Sequence, residues 1–288
     1  MTLIIKSLAK LKIELKKNNS KILNFVPTMG NLHKGHISLI KKAKFQKSRV
    51  LVSIFVNPLQ FGEKKDFVNY PRTLKEDIEL LKKLSVDIVF TPEKSFSFSK
   101  FSLISKNINN KLCAIDRPNH FNGVAYIILK FLLLIKPNYI FLGKKDYQQT
   151  LLIKEIIEEF NLETKIKLVS TVRQKDGTAI SSRNTLISSE NNHLMKEIYK
   201  TLQLISNEIE NQGITYSRIN SLKKELLSKG FDKINYLEIL NSSNLVPISD
   251  TPCKAVVFVS LTVDGIRLID NVELRNKVKK KKNLIISF

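Results

Sequence analysis

The stretch RVLVSIFV, residues Arg49–Val56, limits the possible folds more than any other part of the sequence. It is apolar almost without a break and rich in β-branched residues, which is typical of a strand buried on both faces of a parallel sheet. Similar short apolar runs alternate with amphipathic helical patterns, and this alternation predicts a parallel sheet with helices on both faces. The predicted strands are Lys21–Val26, Arg49–Val56, Val86–Pro92, Tyr139–Leu142 and Lys165–Thr171, and the predicted helices are His36–Phe45, Thr73–Leu84, Val124–Ile135 and Tyr147–Phe160.

The pattern changes near Val172, where a polar, turn-rich loop follows at Arg173–Asn184. Beyond it the sequence predicts two helices and then three strands, the last two joined by a hairpin turn at Asp264–Gly265. The sequence therefore predicts an α/β chain with a Rossmann-like domain over residues 1–171 and a smaller α+β domain over residues 172–288, in which Lys277–Lys282 is expected to be a solvated, mobile tail. The predicted elements of this second domain are the helices Ser189–Asn211 and Ser217–Lys229 and the strands Ile234–Leu240, Ala255–Val263 and Ile266–Leu274.

The bulk properties exclude some classes of protein. The formal net charge of +22 would suit a nucleic-acid-binding protein, but the lysines are spread along the chain and mixed with glutamates, which indicates compositional drift instead. Cys113 and Cys253 lack metal-ligand spacing and suit a reduced, cytoplasmic setting. The lysine-interrupted N-terminus does not resemble a signal peptide, and Val124–Ile135 is too short to cross a bilayer. We therefore expect a cytoplasmic protein with small-molecule ligands.

The loop Pro27–His36 follows the first predicted large strand, at the edge where open parallel sheets bind their ligands. Backbone N–H groups at the start of the next helix favour phosphate, and Gly30 and Gly35 would let the backbone approach a ligand. His33 and His36 could donate hydrogen bonds to phosphate oxygens. A zinc site is disfavoured because no third ligand lies nearby, whereas incidental surface histidines remain open on this motif alone. The loop favours a nucleoside triphosphate site.

A second polar loop, DGTAISSRN at residues 176–184, carries two serines and an arginine, and these groups suit phosphate binding. Together with the HxGH turn it resembles the two signatures of the nucleotidyltransferase superfamily. Further stretches resemble one family of that superfamily, the pantothenate synthetases (pantoate–β-alanine ligases), in order and spacing over residues 1–275. They are VPTMGNLHKGH, SIFVNPLQFG, YPRTLKEDIELL, RPNHFNGVAYII, FLGKKDYQQ, AISSRN and RLIDNVEL.

The resemblance implies an ATP-dependent ligase that condenses pantoate with β-alanine through a pantoyl adenylate and releases AMP and pyrophosphate. It also implies Mg²⁺ and a homodimer. The alternative is another nucleotidyltransferase that acts on a phosphorylated small molecule, but the NPLQF and YPRT stretches and the two glutamines Gln60 and Gln149 argue against it.

The same resemblance implies a role for individual residues. His36, His33 and Lys145 would be catalytic, Gln60 and Gln149 would bind pantoate or β-alanine, and Asp77 would bind magnesium. Asn57 and Tyr70 lie in stretches that line the site. The ATP-binding residues would be Met29, Gly30, Asn31, Leu32, His33, Lys34, Gly35, His36, Gly143, Lys144, Lys145, Asp146, Val172, Ile180, Ser181, Ser182 and Arg183.

Two positions depart from the family pattern. Lys144 stands where many relatives have a glutamate, and Asn119 stands where a glycine is common. If the backbone at Asn119 has a positive φ, asparagine is the next best tolerated residue. Neither change removes a group to which the resemblance assigns catalysis, so we expect an active enzyme.

Overall fold

A computed structural model of the chain describes residues 2–17, 22–45, 48–62 and 64–287. The chain divides into two compact units, Met1–Val172 and Arg173–Phe288, and the predicted domain boundary lies one residue before this division. The first unit contains one sheet and the second contains two, and each unit has its own buried apolar residues.

The first unit is built on a six-stranded sheet in which every strand pair is parallel, which confirms the predicted α/β fold. Its order is β1-β4-β3-β2-β5-β6. The three-residue strand β1 was not predicted, because two of its residues are exposed and no buried run marks it. The strands are β1 Leu3–Ile5, β2 Leu23–Thr28, β3 Arg49–Ile54, β4 Ile88–Phe90, β5 Tyr139–Gly143 and β6 Lys165–Val169.

The four predicted helices of this unit are present, two of them with starts that differ by two or more residues, and three further helices at Leu8–Lys16, Lys64–Asn69 and Cys113–Asp116 were not predicted. The second helix begins at Lys34 rather than His36, because His33 caps it, and the long apolar helix begins at His120 rather than Val124. Short 3₁₀ turns lie at Pro58–Gln60, Lys94–Ser97 and Lys144–Asp146. The helices are α1 Leu8–Lys16, α2 Lys34–Ala43, α3 Lys64–Asn69, α4 Leu74–Lys83, α5 Cys113–Asp116, α6 His120–Ile135 and α7 Tyr147–Glu159.

The strand order reverses beside β2. From β2 the chain proceeds to β3 and β4 on one side, and it then crosses to β5 and β6 on the other side. Ligands of open α/β sheets bind at such a reversal, outside the carboxyl ends of the strands. The loops that follow β2, β3 and β5 therefore meet at the edge where the sequence predicts the site.

The second unit packs two helices, α8 Met195–Asn211 and α9 Tyr216–Ser228, with antiparallel strands. Its larger sheet has the order β10-β9-β8, and positive φ angles at Asp264 and Gly265 form the predicted hairpin turn. The predicted helices and strands of this α+β unit are present, but the first helix begins at Met195 rather than Ser189. The other ends shift by one residue at most, and the short strand Ile214–Thr215 between the two helices was not predicted. The strands of the larger sheet are β8 Lys233–Asn241, β9 Ala255–Val263 and β10 Ile266–Glu273.

The prediction of a mobile basic tail is wrong. A small sheet of order β11-β12-β7 contains β11 Val278–Lys281 and β12 Leu284–Ser287, which pair with β7 Ile214–Thr215. Val278 and Ile285 are buried in the core of the unit, and this burial holds the hairpin in place despite its lysines. Among the helices of the described residues, none combines the length and the apolarity that crossing a membrane requires.

Candidate active site

A small pocket of about 170 Å³ opens at the carboxyl edge of the sheet, between the loops after β2, β3 and β5. One wall is apolar and formed by Val124, Ile127, Ile128 and Phe131 of α6. The other wall gathers residues that the sequence had singled out from four separate stretches: Met29, His36, Asn57, Gln60, Tyr70, Asp146 and Gln149.

The two histidines of the loop bond to the backbone in a reciprocal pair. His33 is the N-cap of α2, and its Nδ1 accepts a hydrogen bond from the Gly35 N–H at 3.1 Å. The N–H of His33 in turn donates to Nδ1 of His36 at 3.3 Å. The two rings lie 4.1 Å apart between centroids, so the pair forms one unit at the start of the helix. This is a capping box built from imidazoles instead of a hydroxyl and a carboxylate.

These bonds determine the tautomer of each neutral ring. Because Nδ1 of His33 and of His36 each accepts a backbone N–H, neither Nδ1 carries a proton, and the proton of each neutral imidazole lies on Nε2. Both side chains therefore present an Nε2–H donor away from the backbone. Such donors suit the phosphate oxygens of a nucleotide.

The surroundings keep both rings neutral. Burial, followed by the positive charge of Lys145, lowers the pKa of His33 to about 4, and Asp146 opposes this shift. Burial also lowers the pKa of His36 to about 3, with smaller contributions from His33 and Lys145. At neutral pH both rings are therefore neutral hydrogen-bonding groups, and the positive charge near them is that of Lys145.

The amides and glycines of the loop serve the protein itself, and not a phosphate as the sequence predicted. The N–H groups of Asn31 and Leu32 donate to the Asp77 carboxylate, and those of His33 and Gly35 donate to imidazoles. A Cβ at Gly30 would meet Asp77 Oδ2 at 2.9 Å, and one at Gly35 would meet His33 Cε1 at 2.8 Å. The glycines thus make room for protein groups, because the loop satisfies these amides internally.

The 3₁₀ turn at Pro58–Gln60 fixes Gln60 through contacts that the sequence did not predict. The amide nitrogen of Asn57 donates to Gln60 Oε1 at 3.2 Å and to the Gly123 carbonyl at 3.0 Å. Gln60 Nε2 lies 2.7 Å from Met29 Sδ. The Gln60 carbonyl accepts from His120 Nδ1 at 2.5 Å and from Arg117 at 3.2 Å. Arg117, His120 and Gly123 all belong to the RPNHFNG stretch, a family motif for which the sequence had predicted no contact with Gln60.

The close approach of the Pro58–Gln60 turn explains why position 123 is a glycine. A Cβ there would lie 2.2 Å from the Leu59 carbonyl oxygen and 2.6 Å from the Gln60 nitrogen, so the turn packs directly on the helix backbone. Asn119, just before α6, has φ +65°, which confirms the left-handed backbone that would explain asparagine at a position where glycine is common.

The remaining predicted residues lie in two places. Gly143 ends β5, Lys144 and Lys145 follow it at the same edge of the sheet, and Val172 is the last residue of the first unit. The residues Ile180, Ser181, Ser182 and Arg183 belong to the second unit, where Ser181 Oγ accepts from the Arg183 N–H at 3.2 Å.

An ion pair at the base of this second loop was missed at the level of sequence. The Arg173 guanidinium bonds both oxygens of Asp270, at 2.5 and 2.9 Å, and packs 3.9 Å from the centre of the Tyr199 ring. It also donates to the Gly177 carbonyl at 3.1 Å, so it ties the turn that precedes Ser181 to β10. Asp270 lies in the RLIDNVEL stretch, and bidentate pairs of this kind hold two segments in a defined orientation.

Comparisons with known proteins agree with this arrangement. A family model described as Pantoate-beta-alanine ligase matches residues 3–273. The chain is 38% identical to a pantothenate synthetase of Acinetobacter baylyi, over 91% of this chain and 94% of the relative. It is 37% identical to that of Caldicellulosiruptor saccharolyticus, over 89% and 92%.

Solved structures give the same result. The crystal structure of pantothenate synthetase from Thermus thermophilus has a TM-score of 0.86 at 33% identity, covering 95% of this chain and 99% of that one. A structure of pantoate-beta-alanine ligase from Francisella tularensis, described as complexed with beta-gamma ATP and beta-alanine, has a TM-score of 0.81 at 34% identity, with 95% and 98% covered.

The capping role of His33 can be separated from its Nε2–H group. His33→Ala removes the acceptor for the Gly35 N–H, and we expect it to lower the free energy of unfolding by about 1 kcal/mol. His33→Asn offers a side-chain oxygen to the same N–H and should stay within a few tenths of the wild type. Urea unfolding at pH 7 measures both variants, and equal losses in the two would contradict the capping role.

The lowered histidine pKa values predict an acid-sensitive fold. In the unfolded chain both imidazoles take up a proton near pH 6.5, whereas in the folded chain they do so only near pH 4 and pH 3. Between these values the unfolded state binds more protons, so stability falls as the pH falls, by at most about 1.4 kcal/mol per pH unit for each histidine. Urea unfolding at a series of pH values should give a shallower dependence for the double variant His33→Asn/His36→Asn. Identical slopes would contradict the prediction.

The close packing of the glutamine-bearing turn predicts that Gly123 tolerates no side chain. Gly123→Ala forces its Cβ into the backbone of Leu59 and Gln60 and should cost about 1–3 kcal/mol of unfolding free energy. Gly62→Ala is the matched control, because no atom of the described residues lies within 4 Å of its added Cβ. Thermal and urea unfolding compare the two, and equal stability would show that the turn does not pack as described.

Proposed function

The chain belongs to the pantoate–beta-alanine ligase family, and we propose that it joins pantoate to β-alanine with ATP through a pantoyl-adenylate intermediate. The observation that carries this proposal is the pocket of Gln60 and Gln149, which opens directly beside His36. A small acid held there would have its carboxylate next to the predicted triphosphate site, as adenylation requires.

The lining of the pocket suits pantoate. Pantoate carries a carboxylate, two hydroxyls and a pair of methyl groups on one carbon. The apolar wall of α6, with Val124, Ile127 and Phe131, offers a surface for the methyl groups. Gln60 and Gln149 provide amides that can donate to a carboxylate and accept from a hydroxyl, so both kinds of polar group on this acid find partners.

In the first step a pantoate carboxylate oxygen attacks the α-phosphorus of ATP, and the bond from that phosphorus to the bridging oxygen breaks. Pyrophosphate leaves with the electron pair, so negative charge grows on its oxygens. We assign the Nε2–H groups of His33 and His36 to these oxygens and the Lys145 ammonium to the α-phosphate, where each would stabilise the developing charge. No proton transfer by either histidine is required in this step.

In the second step the neutral amine of β-alanine attacks the acyl carbon of the adenylate. The bond from that carbon to the AMP oxygen breaks, AMP leaves with the electron pair, and the amine gives up a proton as the amide forms. AMP is a far better leaving group than the oxide ion that a free carboxylate would have to expel. Adenylation by ATP therefore makes the unreactive carboxylate open to attack by the amine.

The remaining nucleotide contacts are proposals that rest on the family pattern. Within the first unit they are Met29–His36, Gly143–Asp146 and Val172. Within the second unit they are Ile180, Ser181, Ser182 and Arg183, which would make that unit a lid. We also propose that Mg²⁺ accompanies the nucleotide on its phosphate oxygens and that the enzyme is a cytoplasmic homodimer.

An isotope experiment tests the proposed reaction and its intermediate. The protein is incubated with ATP, Mg²⁺, β-alanine and pantoate labelled with oxygen-18 in its carboxylate. We expect pyrophosphate, pantothenate and AMP, with one labelled oxygen transferred to AMP, because the attacking carboxylate oxygen leaves with the phosphate. Label retained in pantothenate alone would exclude the adenylate, and pyrophosphate release only with another acid would exclude the substrate.

The His33→Asn variant tests the proposed role of His33 in this assay. It keeps an acceptor for the Gly35 N–H at the helix cap and removes the Nε2–H donor. Loss of one such donor typically slows a reaction by about 10²–10³-fold. A wild-type rate of pyrophosphate release in single turnover would show that His33 does not contact the phosphates.

A further inference from the structure

We infer that Asp77 is a positioning residue that holds the histidine loop from its inner side, and that it is not a magnesium ligand. Asp77 lies in the first turn of α4, and its side chain points at the loop that follows β2. Its Oδ2 accepts the Asn31 N–H at 2.9 Å and its Oδ1 accepts the Leu32 N–H at 2.8 Å. The Thr73 hydroxyl donates to Oδ2 at 3.1 Å. Both carboxylate oxygens are thus bonded to donors of the protein.

The carboxylate does not fit the magnesium role that the family resemblance implies. Asp77 is only 3% exposed, and it is absent from the lining of the pocket that holds His36 and Gln60. Mg²⁺ demands near-octahedral oxygen ligands and keeps several waters, which needs open space around the ligand. Within the described ranges no group of three or more His, Cys, Asp or Glu side chains could hold a metal ion. The donors around Asp77 are all N–H and O–H groups, which compete with a cation for the same lone pairs.

The backbone of the loop is shaped to meet this carboxylate. Gly30 has φ +81° and Asn31 has φ +49°, so two consecutive residues adopt the left-handed conformation. Such a turn directs successive N–H groups towards one point, where they usually bind an anion. Here that anion is Asp77, and its Oδ2 would lie only 2.9 Å from a Cβ added at Gly30. The inner side of the loop is therefore filled by the protein's own negative charge.

This arrangement assigns opposite roles to the two sides of the loop. The amides of Asn31 and Leu32 face inward to Asp77, so they are not available to a phosphate. The imidazoles of His33 and His36 follow directly in the chain, and their Nε2–H groups face away from the backbone bonds that fix them. Asp77 thus acts on the nucleotide only through the position that it gives these two rings.

Amide hydrogen exchange in the nucleotide-free, metal-free protein tests the inner contact without any assumption about the reaction. In the wild type we expect protected amides at Asn31 and Leu32, and in Asp77→Ala we expect both to exchange at least about tenfold faster. Glu76→Gln is the matched control, since it neutralises the neighbouring, exposed carboxylate on the same turn of α4. If Asp77→Ala does not fold, the wild type still decides, because unprotected amides at both positions would overturn the inference.

A magnesium titration of pyrophosphate release tests the second half of the inference, and this arm rests on the proposed function. Asp77→Asn keeps the size of the side chain but can accept only one of the two N–H groups. We expect its KM for ATP to rise by about tenfold, while the Mg²⁺ concentration for half-maximal rate stays within about twofold of the wild type. A Mg²⁺ midpoint raised tenfold or more would overturn the inference and make Asp77 a ligand. A wild type that releases no pyrophosphate would overturn the proposed function instead, and the exchange result would still stand.

Discussion

The parallel pairing of β2 with β3 on one side and β5 on the other is the constraint on which the site depends. Asn24 and Phe25 pair with Tyr139 and Ile140 of β5, while the whole length of β2 pairs with β3. Parallel strands end at the same edge of a sheet. This register therefore brings together the histidine loop after β2, the turn Pro58–Gln60 after β3 and the turn Lys144–Asp146 after β5. Residues that are more than a hundred positions apart in the sequence thereby line one pocket.

Within that frame the conformations of the loops are held by hydrogen bonds among their own polar groups and those of neighbouring residues. The N–H groups of the histidine loop donate to Asp77 and to the loop's own imidazoles. The turn that carries Gln60 is held by Asn57, by Arg117 and by His120 at the start of α6. Buried amides without partners would cost free energy, so each loop conformation is selected by the bonds that complete it. The Nε2–H groups of His33 and His36 take no part in these backbone bonds, and the proposed function directs them at the phosphates.

The sequence predicted the parallel sheet, which the structure confirms, and it singled out residues that line the pocket, but it did not predict the contacts that hold them. Arg49–Ile54 is apolar and β-branched, and His33, His36, Gln60 and Gln149 stand in recognisable motifs, so both features are written in short stretches. The bonds from Asp77 to the loop, from His120 to Gln60 and from Arg173 to Asp270 join residues 45 to 97 positions apart. No local pattern encodes such pairs. The hairpin at Val278–Ser287 was missed for another reason. Its run of lysines indicated a solvated segment, although Val278 and Ile285 are buried in the core of the unit.

Neutral histidines suit the proposed chemistry better than charged ones would. An imidazolium would attract the phosphates of bound ATP strongly before reaction, and binding that is equally strong in the ground state does not speed the chemical step. A neutral Nε2–H donor interacts more weakly with the substrate and gains most as charge accumulates on the departing pyrophosphate. Burial and the nearby Lys145 keep the rings neutral. Under the proposed function, the low pKa values and the fixed tautomers would give each ring a neutral N–H donor whose hydrogen bond strengthens as the phosphate charge develops.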